Sequence, residues 1–263
     1  MVTLPFTAKR KQRPTPDNMT LGEHLGELRR RVIISVVAFL VAATVAVFLY
    51  EPILTFLLRP LCTVVATSGP HHSYIVRSGN TCNLFVTSPL DGLSLRVKIA
   101  LFGGLVLSSP IILFQIWRFV TPGLKASERR YAIPFVLSAF ALFLAGAATA
   151  YITLPHALGW LKSVGGPNLQ AIYDPIAYLG LILLMMTIFG LTFEFPVVLV
   201  SLELAHVVTP ARLLKSWRWA VIIIVVLAAV FTPSSDPFSM FALAIPLTVF
   251  YFVSIGIGKL LGR

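Results

Sequence analysis

The amino-acid sequence predicts an all-α integral membrane protein with six transmembrane helices. Of its 263 residues, 57% are hydrophobic and only 12% are charged. Apolar stretches recur along the chain, and most are about as long as the ~20 residues that a helix needs to cross ~30 Å of hydrocarbon. A water-soluble domain of this length does not need so much apolar surface, so lipid is the expected solvent for most of the chain.

The expected spans form a single membrane domain, residues 19–263, behind a basic tail. Residues 1–18 contain proline and lack apolar periodicity, so we expect this tail to be disordered. The fifth span is short, because its apolar run from Trp219 to Phe231 extends only about 20 Å at ~1.5 Å per residue. Such a span crosses an ordinary bilayer only if residues at its ends extend it or if the membrane thins around it. The six spans cover about residues 32–50, 96–117, 131–154, 176–202, 217–231 and 238–258.

The distribution of lysine and arginine predicts the orientation. Sixteen of the 21 basic residues lie in the N-terminal segment, the second and fourth connecting segments and the C-terminal end, whereas three lie in the other connecting segments. Basic segments remain cytoplasmic, so we expect both termini on the cytoplasmic side. The basic residues are not interleaved with stacking aromatic residues, and a nucleic-acid surface is therefore not expected.

The first outer segment, from Glu51 to Ser94, contains the only two cysteines, Cys62 and Cys82. On the oxidising side of the membrane we expect them to form a disulfide, worth about 3 kcal/mol for a loop of ~20 residues. Two free thiols are the alternative. His71 and His72 lack the spacing of metal ligands, so no metal site is expected.

Two carboxylates stand out on the basic cytoplasmic face. Glu27 lies just before the first span, and Glu128 lies among Arg118, Lys125, Arg129 and Arg130 in the loop between the second and third spans. Acidic groups on such a face are places where a cationic segment is recognised, through short charge-assisted hydrogen bonds. Local pairing is the alternative, because Arg31 lies at i+4 from Glu27 and two arginines follow Glu128.

A third carboxylate, Glu194, falls inside the hydrocarbon region. It lies in the segment Gly190-Leu-Thr-Phe-Glu-Phe-Pro196, where Pro196 leaves the carbonyl of Thr192 without its helical donor. A carboxyl group beside a freed carbonyl and the Thr192 hydroxyl needs water or a donor, so this face is expected to line a cavity or a helix interface. A purely structural hydrogen bond is the alternative.

Several segments together resemble the TatC family, the six-span core subunit of the bacterial twin-arginine protein translocase. They are Glu27-Leu-Arg-Arg-Arg31, Ser109-Pro-Ile-Ile-Leu-Phe-Gln-Ile-Trp-Arg-Phe-Val-Thr-Pro-Gly-Leu124, Ser127-Glu-Arg-Arg130, Phe193-Glu-Phe-Pro196 and Thr232-Pro…Asp236-Pro-Phe-Ser239. The resemblance covers about residues 20–260. It implies a receptor for signal peptides with paired arginines, located in the bacterial cytoplasmic membrane. It also implies single-span partners of the TatA and TatB types, self-association, and export of folded proteins on the protonmotive force.

The resemblance also implies roles for particular residues. Glu27 and Glu128 match the carboxylates that meet the twin arginines, and Phe119 and Pro122 match the frame of the recognition loop. Arg29, in the same segment as Glu27, is assigned to this binding site. Glu194 matches the polar intramembrane position. Two outer-face positions are also matched, by Pro60 and Asp236.

Two other classes of protein compete with this interpretation. A proton-coupled secondary transporter of a small solute would use Glu194 as its proton carrier, although the two halves of the chain show no inverted repeat. An intramembrane enzyme is not expected, because the sequence lacks Gly-x-Ser-x-Gly, His-Glu-x-x-His and paired intramembrane aspartates. No cofactor is expected.

Overall fold

The structure is a computed structural model. It describes the backbone of residues 21–66, 76–78, 81–83, 88–120, 132–165, 174–204, 207–233 and 236–260. The expected N-terminal tail lies outside these ranges.

The described chain is helical apart from one short hairpin. Strands β1 (Val76–Ser78) and β2 (Thr81–Asn83) pair antiparallel, with Arg77 opposite Cys82. This hairpin lies in the segment that the sequence predicts to be the first outer one, and it is an addition to the expected all-α fold. The helices are α1 (Leu21–Phe48), α2 (Tyr50–Ala66), α3 (Asp91–Val120), α4 (Ala132–Gly165), α5 (Pro175–Thr192), α6 (Phe195–Leu204), α7 (Pro210–Lys215), α8 (Trp217–Phe231) and α9 (Pro237–Leu260).

Five of the described segments are long and apolar enough to cross a membrane: Leu25–Phe48, Asp91–Phe119, Ile133–Gly165, Ile176–Leu204 and Pro237–Leu260. Helix α8 is apolar but has only 15 residues, or about 22 Å at ~1.5 Å per residue. Large apolar side chains remain exposed on these helices, for example Leu40, Ile223 and Ile245. Such surfaces are stable in lipid, and the structure therefore describes a multi-pass helical membrane protein.

Two spans begin with the same local device. In α5, Asp174 precedes Pro175 and its side chain accepts a hydrogen bond from the backbone N–H of Ile176 at 3.2 Å. In α9, Asp236 precedes the first helical proline and accepts from the N–H of Ser239 at 2.7 Å. A carboxylate before a helix accepts hydrogen bonds from N–H groups that have no helical partner. Proline at the first helical position costs no helical hydrogen bond, because an N–H there would have no partner within the helix. These Asp-Pro pairs set where the two spans start.

Small residues allow the closest helix contacts. Helix α1 lies against α3 where Ala43 faces Gly104, and a Cβ added to Gly104 would stand 2.8 Å from the Cα of Ala43. Helix α4 lies against α5 at Gly146, where an added Cβ would stand 2.5 Å from the carbonyl oxygen of Phe189. The α1–α3 contact carries the N-terminal carboxylate Glu27 to the end of α3, and the α4–α5 contact supports the helix break beside Glu194.

Candidate functional site

The first predicted site residue, Glu27, is half-buried on α1 and forms an ion pair with Arg31 one turn later. Arg31 is only 8% exposed. Its Nη1 donates to the backbone oxygen of Gln115 at 3.4 Å, and its guanidinium carbon lies 5.9 Å from the ring centroid of Phe119. The local pairing that is the alternative for Glu27 is therefore present. The other contacts of Arg31 join α1 to the C-terminal end of α3.

The ion pair occupies one oxygen of Glu27. Its Oε1 accepts from Arg31, whereas its Oε2 is shielded from solvent and accepts no hydrogen bond from any residue that the structure describes. A shielded carboxylate oxygen without a donor costs free energy, because it has lost its hydrogen bonds to water and has no protein hydrogen bond to replace them. Glu27 thus retains capacity to accept one further donor.

The end of α3 is fixed from its other side by aromatic packing. Trp117 is almost fully buried, and its ring centroid lies 3.9 Å from that of Phe135 on α4. Phe119 is half-buried against Arg31. Helices α3 and α4 flank the predicted recognition loop, so this contact fixes the positions at which the loop begins and ends. Pro122 and Glu128 lie outside the described residues, and the approach of Glu128 to Glu27 stays a prediction.

Arg29 is exposed on α1, as is its neighbour Arg30, while Arg31 is buried. Three consecutive arginines on a helix point in different directions, and here only the third faces α3. Arg29 makes no ion pair with the described residues. The structure therefore distinguishes the surroundings of these three cations, which the sequence alone does not.

The intramembrane residue Glu194 lies at a break in the fourth span. Helix α5 ends at Thr192 and α6 begins at Phe195, and the N–H of Glu194 bonds to the Leu191 oxygen at 3.2 Å. The Thr192 hydroxyl donates to the carbonyl of Ile188 at 2.6 Å, so that hydroxyl is directed along its own helix. Glu194 Oε1 is buried and receives no hydrogen bond from the described residues.

Pro60, which the sequence predicts to lie on the outer face, leaves one carbonyl group of α2 without its helical donor. Pro60 lies inside α2 and has no N–H to offer to the carbonyl of Phe56, four residues earlier. The hydroxyl of Tyr151 on α4 donates to this carbonyl at 2.9 Å. The hydroxyl of Tyr178 on α5 donates to the adjacent carbonyl of Leu57, also at 2.9 Å. The proline-containing helix is thereby tied to two spans.

Asp236, the other residue predicted to lie on the outer face, is 1% exposed and caps α9, as described above. Cys62, near the end of α2, is disulfide-bonded. Cys82 is the only other cysteine of the sequence. Its side chain lies outside the described part of the structure, so the pairing of the two stays a prediction.

Sequence reasoning missed one further carboxylate, Glu203, near the end of α6. Glu203 is 1% exposed, and neither of its oxygens has a hydrogen-bond partner among the described residues. Its carboxylate rests on Gly258 of α9, where an added Cβ would collide with it and would stand 2.9 Å from the ring of Pro210. Glu203 follows the apolar run of the fourth span and therefore resembles an ordinary boundary charge. The glycine at position 258 is the only signal of the close approach.

No group of three or more histidine, cysteine, aspartate or glutamate side chains able to hold a metal ion occurs in the described ranges. The described polar groups are instead single carboxylates set between helices. Glu27 lies near the N-terminal end of α1 and the C-terminal end of α3, and Glu194 and Glu203 lie along the fourth span. This arrangement, on five long apolar segments and one short apolar helix, defines a multi-pass membrane protein with shielded carboxylates between its helices.

Comparison with known proteins identifies the family. The family model for the Sec-independent protein translocase protein (TatC) matches residues 23–246, and the chain belongs to this family. A TatC protein from Frankia casuarinae is 42% identical over 97% of this chain and 70% of its own length. One from Aquifex aeolicus is 36% identical over 93% of this chain and 97% of its own.

A solved structure extends this similarity to the fold. The crystal structure of a twin-arginine translocase receptor, TatC, in the detergent DDM matches with a TM-score of 0.72 and 34% identity. The match covers 90% of this chain and 99% of the other. The expected family is thereby confirmed. The solute-transporter alternative finds no support in these comparisons.

Proposed function

We propose that this protein is the signal-peptide receptor and membrane core of a twin-arginine translocase, and that Glu27 and Glu128 together bind the arginine pair. The observation that carries the binding site is Glu27 Oε2, an acceptor without solvent or a donor in the described chain. Guanidinium groups suit such an acceptor, because their N–H donors have fixed directions and form strong bonds to carboxylates. Family membership supports the receptor role.

In this proposal, one arginine of the signal contacts Glu27 and the other contacts Glu128. Phe119 and Pro122 frame the loop, and Arg29 stays at the rim as an exposed cation. Glu27 lies on α1 and Glu128 lies in the sequence between α3 and α4, so each carboxylate is proposed to take one of the two adjacent arginines. The apolar part of the signal then lies along the membrane near Glu194.

We further propose six spans with both termini in the cytoplasm of a bacterium. The five long apolar segments supply five spans, and α8 is the sixth. The sixteen basic residues assigned to the cytoplasmic side support this orientation. Membrane thinning around α8 would ease insertion of single-span partners of the TatA and TatB types, with which the protein moves folded cargo on the protonmotive force.

Replacing Glu27 with glutamine is expected to weaken binding of a twin-arginine signal peptide about tenfold, since glutamine keeps the shape but loses the charge of the acceptor. Binding is measured with a fluorescent peptide and the purified full chain in lipid nanodiscs. Glu51→Gln is the matched control, because Glu51 is an exposed acid at the start of α2. Equal affinities for wild type and Glu27→Gln, or equal losses in both variants, would remove Glu27 from the site.

A further inference from the structure

The burial of Arg31 sets it apart from the other cations near the proposed binding site. Arg31 is 8% exposed, and two contacts hold its guanidinium on α3 independently of Glu27: the backbone oxygen of Gln115 and the ring of Phe119. Its positive charge also lies toward the C-terminal end of α3, where the helix dipole favours a cation. The guanidinium is therefore anchored to the second of the two helices that it joins.

This anchoring bears on what happens when a cationic ligand arrives. If a signal arginine displaced Arg31 from Glu27, the buried guanidinium of Arg31 would lose its only described carboxylate. A buried charge that loses its partner is strongly unfavourable. The ligand is better accommodated when Arg31 keeps Oε1 and the ligand takes Oε2, which has no other described donor.

We infer that Arg31 is a positioning residue for signal recognition, which fixes Glu27 through Oε1 and presents Oε2 to one arginine of the signal. The inference rests on the proposed function and deepens it. The Oε2 that Arg31 holds in place is shielded from solvent, so a cation that binds it must lose water. A guanidinium is more weakly hydrated than the compact ammonium of lysine and is therefore the better partner for a shielded carboxylate oxygen. Arg31 thus contributes to the preference for arginine over lysine.

The test removes one positive charge from α1 at each of two positions and compares the two variants. Arg31→Met and Arg30→Met each remove one cation from α1, but Arg30 is exposed. Affinity is measured for an Arg-Arg signal peptide and a matched Lys-Lys peptide, with the full chain in lipid nanodiscs. Arg31→Met is expected to weaken Arg-Arg binding about tenfold and to narrow the Arg-Arg to Lys-Lys ratio, while Arg30→Met changes each affinity less than twofold. If Arg31 only repelled the cationic signal peptide, Arg31→Met would tighten binding instead.

Arg31→Lys is the second variant. It keeps the positive charge but lacks the planar set of N–H donors of the guanidinium. It is expected to restore part of the Arg-Arg affinity, and it carries the test alone if Arg31→Met does not fold. Tighter Arg-Arg binding in Arg31→Met, or an unchanged ratio in both Arg31 variants, overturns the inference. The proposed function fails separately, if the wild-type protein itself shows no preference for Arg-Arg over Lys-Lys.

Discussion

Replacing Gly146 with leucine is expected to destabilise the protein by roughly 3 kcal/mol or more, the upper range of overpacking effects. A Cβ at position 146 would lie 2.5 Å from the carbonyl oxygen of Phe189 and 2.9 Å from Cγ of Phe193. The first of these atoms belongs to the backbone of α5 and has no rotamer by which to move away. Relief therefore requires α4 and α5 to separate, next to the helix break that holds Glu194.

Gly159 offers a matched control for this substitution. It lies on the same helix, and an added Cβ there meets no heavy atom within 4 Å. Leucine at position 159 is expected to be neutral or slightly stabilising, since glycine is a poor helix former. The measurement is the apparent unfolding temperature in detergent, followed by tryptophan fluorescence. If Gly146→Leu unfolds at the wild-type temperature while Gly159→Leu does the same, the described α4–α5 contact is wrong.

Replacing Glu203 with methionine is expected to stabilise the protein, by about 1–4 kcal/mol. Both oxygens of Glu203 are buried without partners in the described structure, and the side chain lies between Gly258 and Pro210. A buried polar group without a hydrogen-bond partner costs about 1–3 kcal/mol, and more when it is charged, so an apolar side chain of similar volume removes this cost. Methionine has nearly the length of glutamate and adapts to irregular spaces.

Glu203→Gln is the informative companion, because it removes the acid but keeps the buried polar atoms. Its unfolding temperature is expected to stay near that of the wild type, several degrees below that of Glu203→Met. If Glu203→Met lowers the unfolding temperature instead, the Glu203 carboxyl group must accept a stabilising hydrogen bond. The description of this group as unpartnered would then be incorrect. Stabilisation accompanied by loss of export would show that Glu203 is kept for activity at the expense of stability.

The apolar helices were largely predictable from the sequence, because the length of an apolar run directly reflects the thickness of the membrane. Their ends were less so. Helix α4 continues through Pro155 to Gly165, whereas the third predicted span ends at about residue 154. The beginnings of α5 and α9 are set by Asp-Pro caps, which are local features that a hydropathy pattern does not register.

The candidate site was predictable in its chemistry but not in its contacts. The i,i+4 spacing of Glu27 and Arg31 allows an ion pair, and the structure contains it. The burial of Arg31 depends instead on the approach of α1 to α3, which Gly104 permits. Glu203 was missed for the same reason, since its surroundings are formed by residues distant in sequence. Charge and periodicity identify local pairs, whereas contacts between helices require the fold.

The central claim is that the loop carboxylate Glu128 meets the arginine pair of a signal peptide. The most direct measurement places a photo-crosslinking amino acid at position 128 of the full chain in membranes, and compares an Arg-Arg signal with a matched Lys-Lys signal. Crosslinking to the Arg-Arg signal alone is the result that we predict. Equal crosslinking to both signals, or to neither, would contradict the claim.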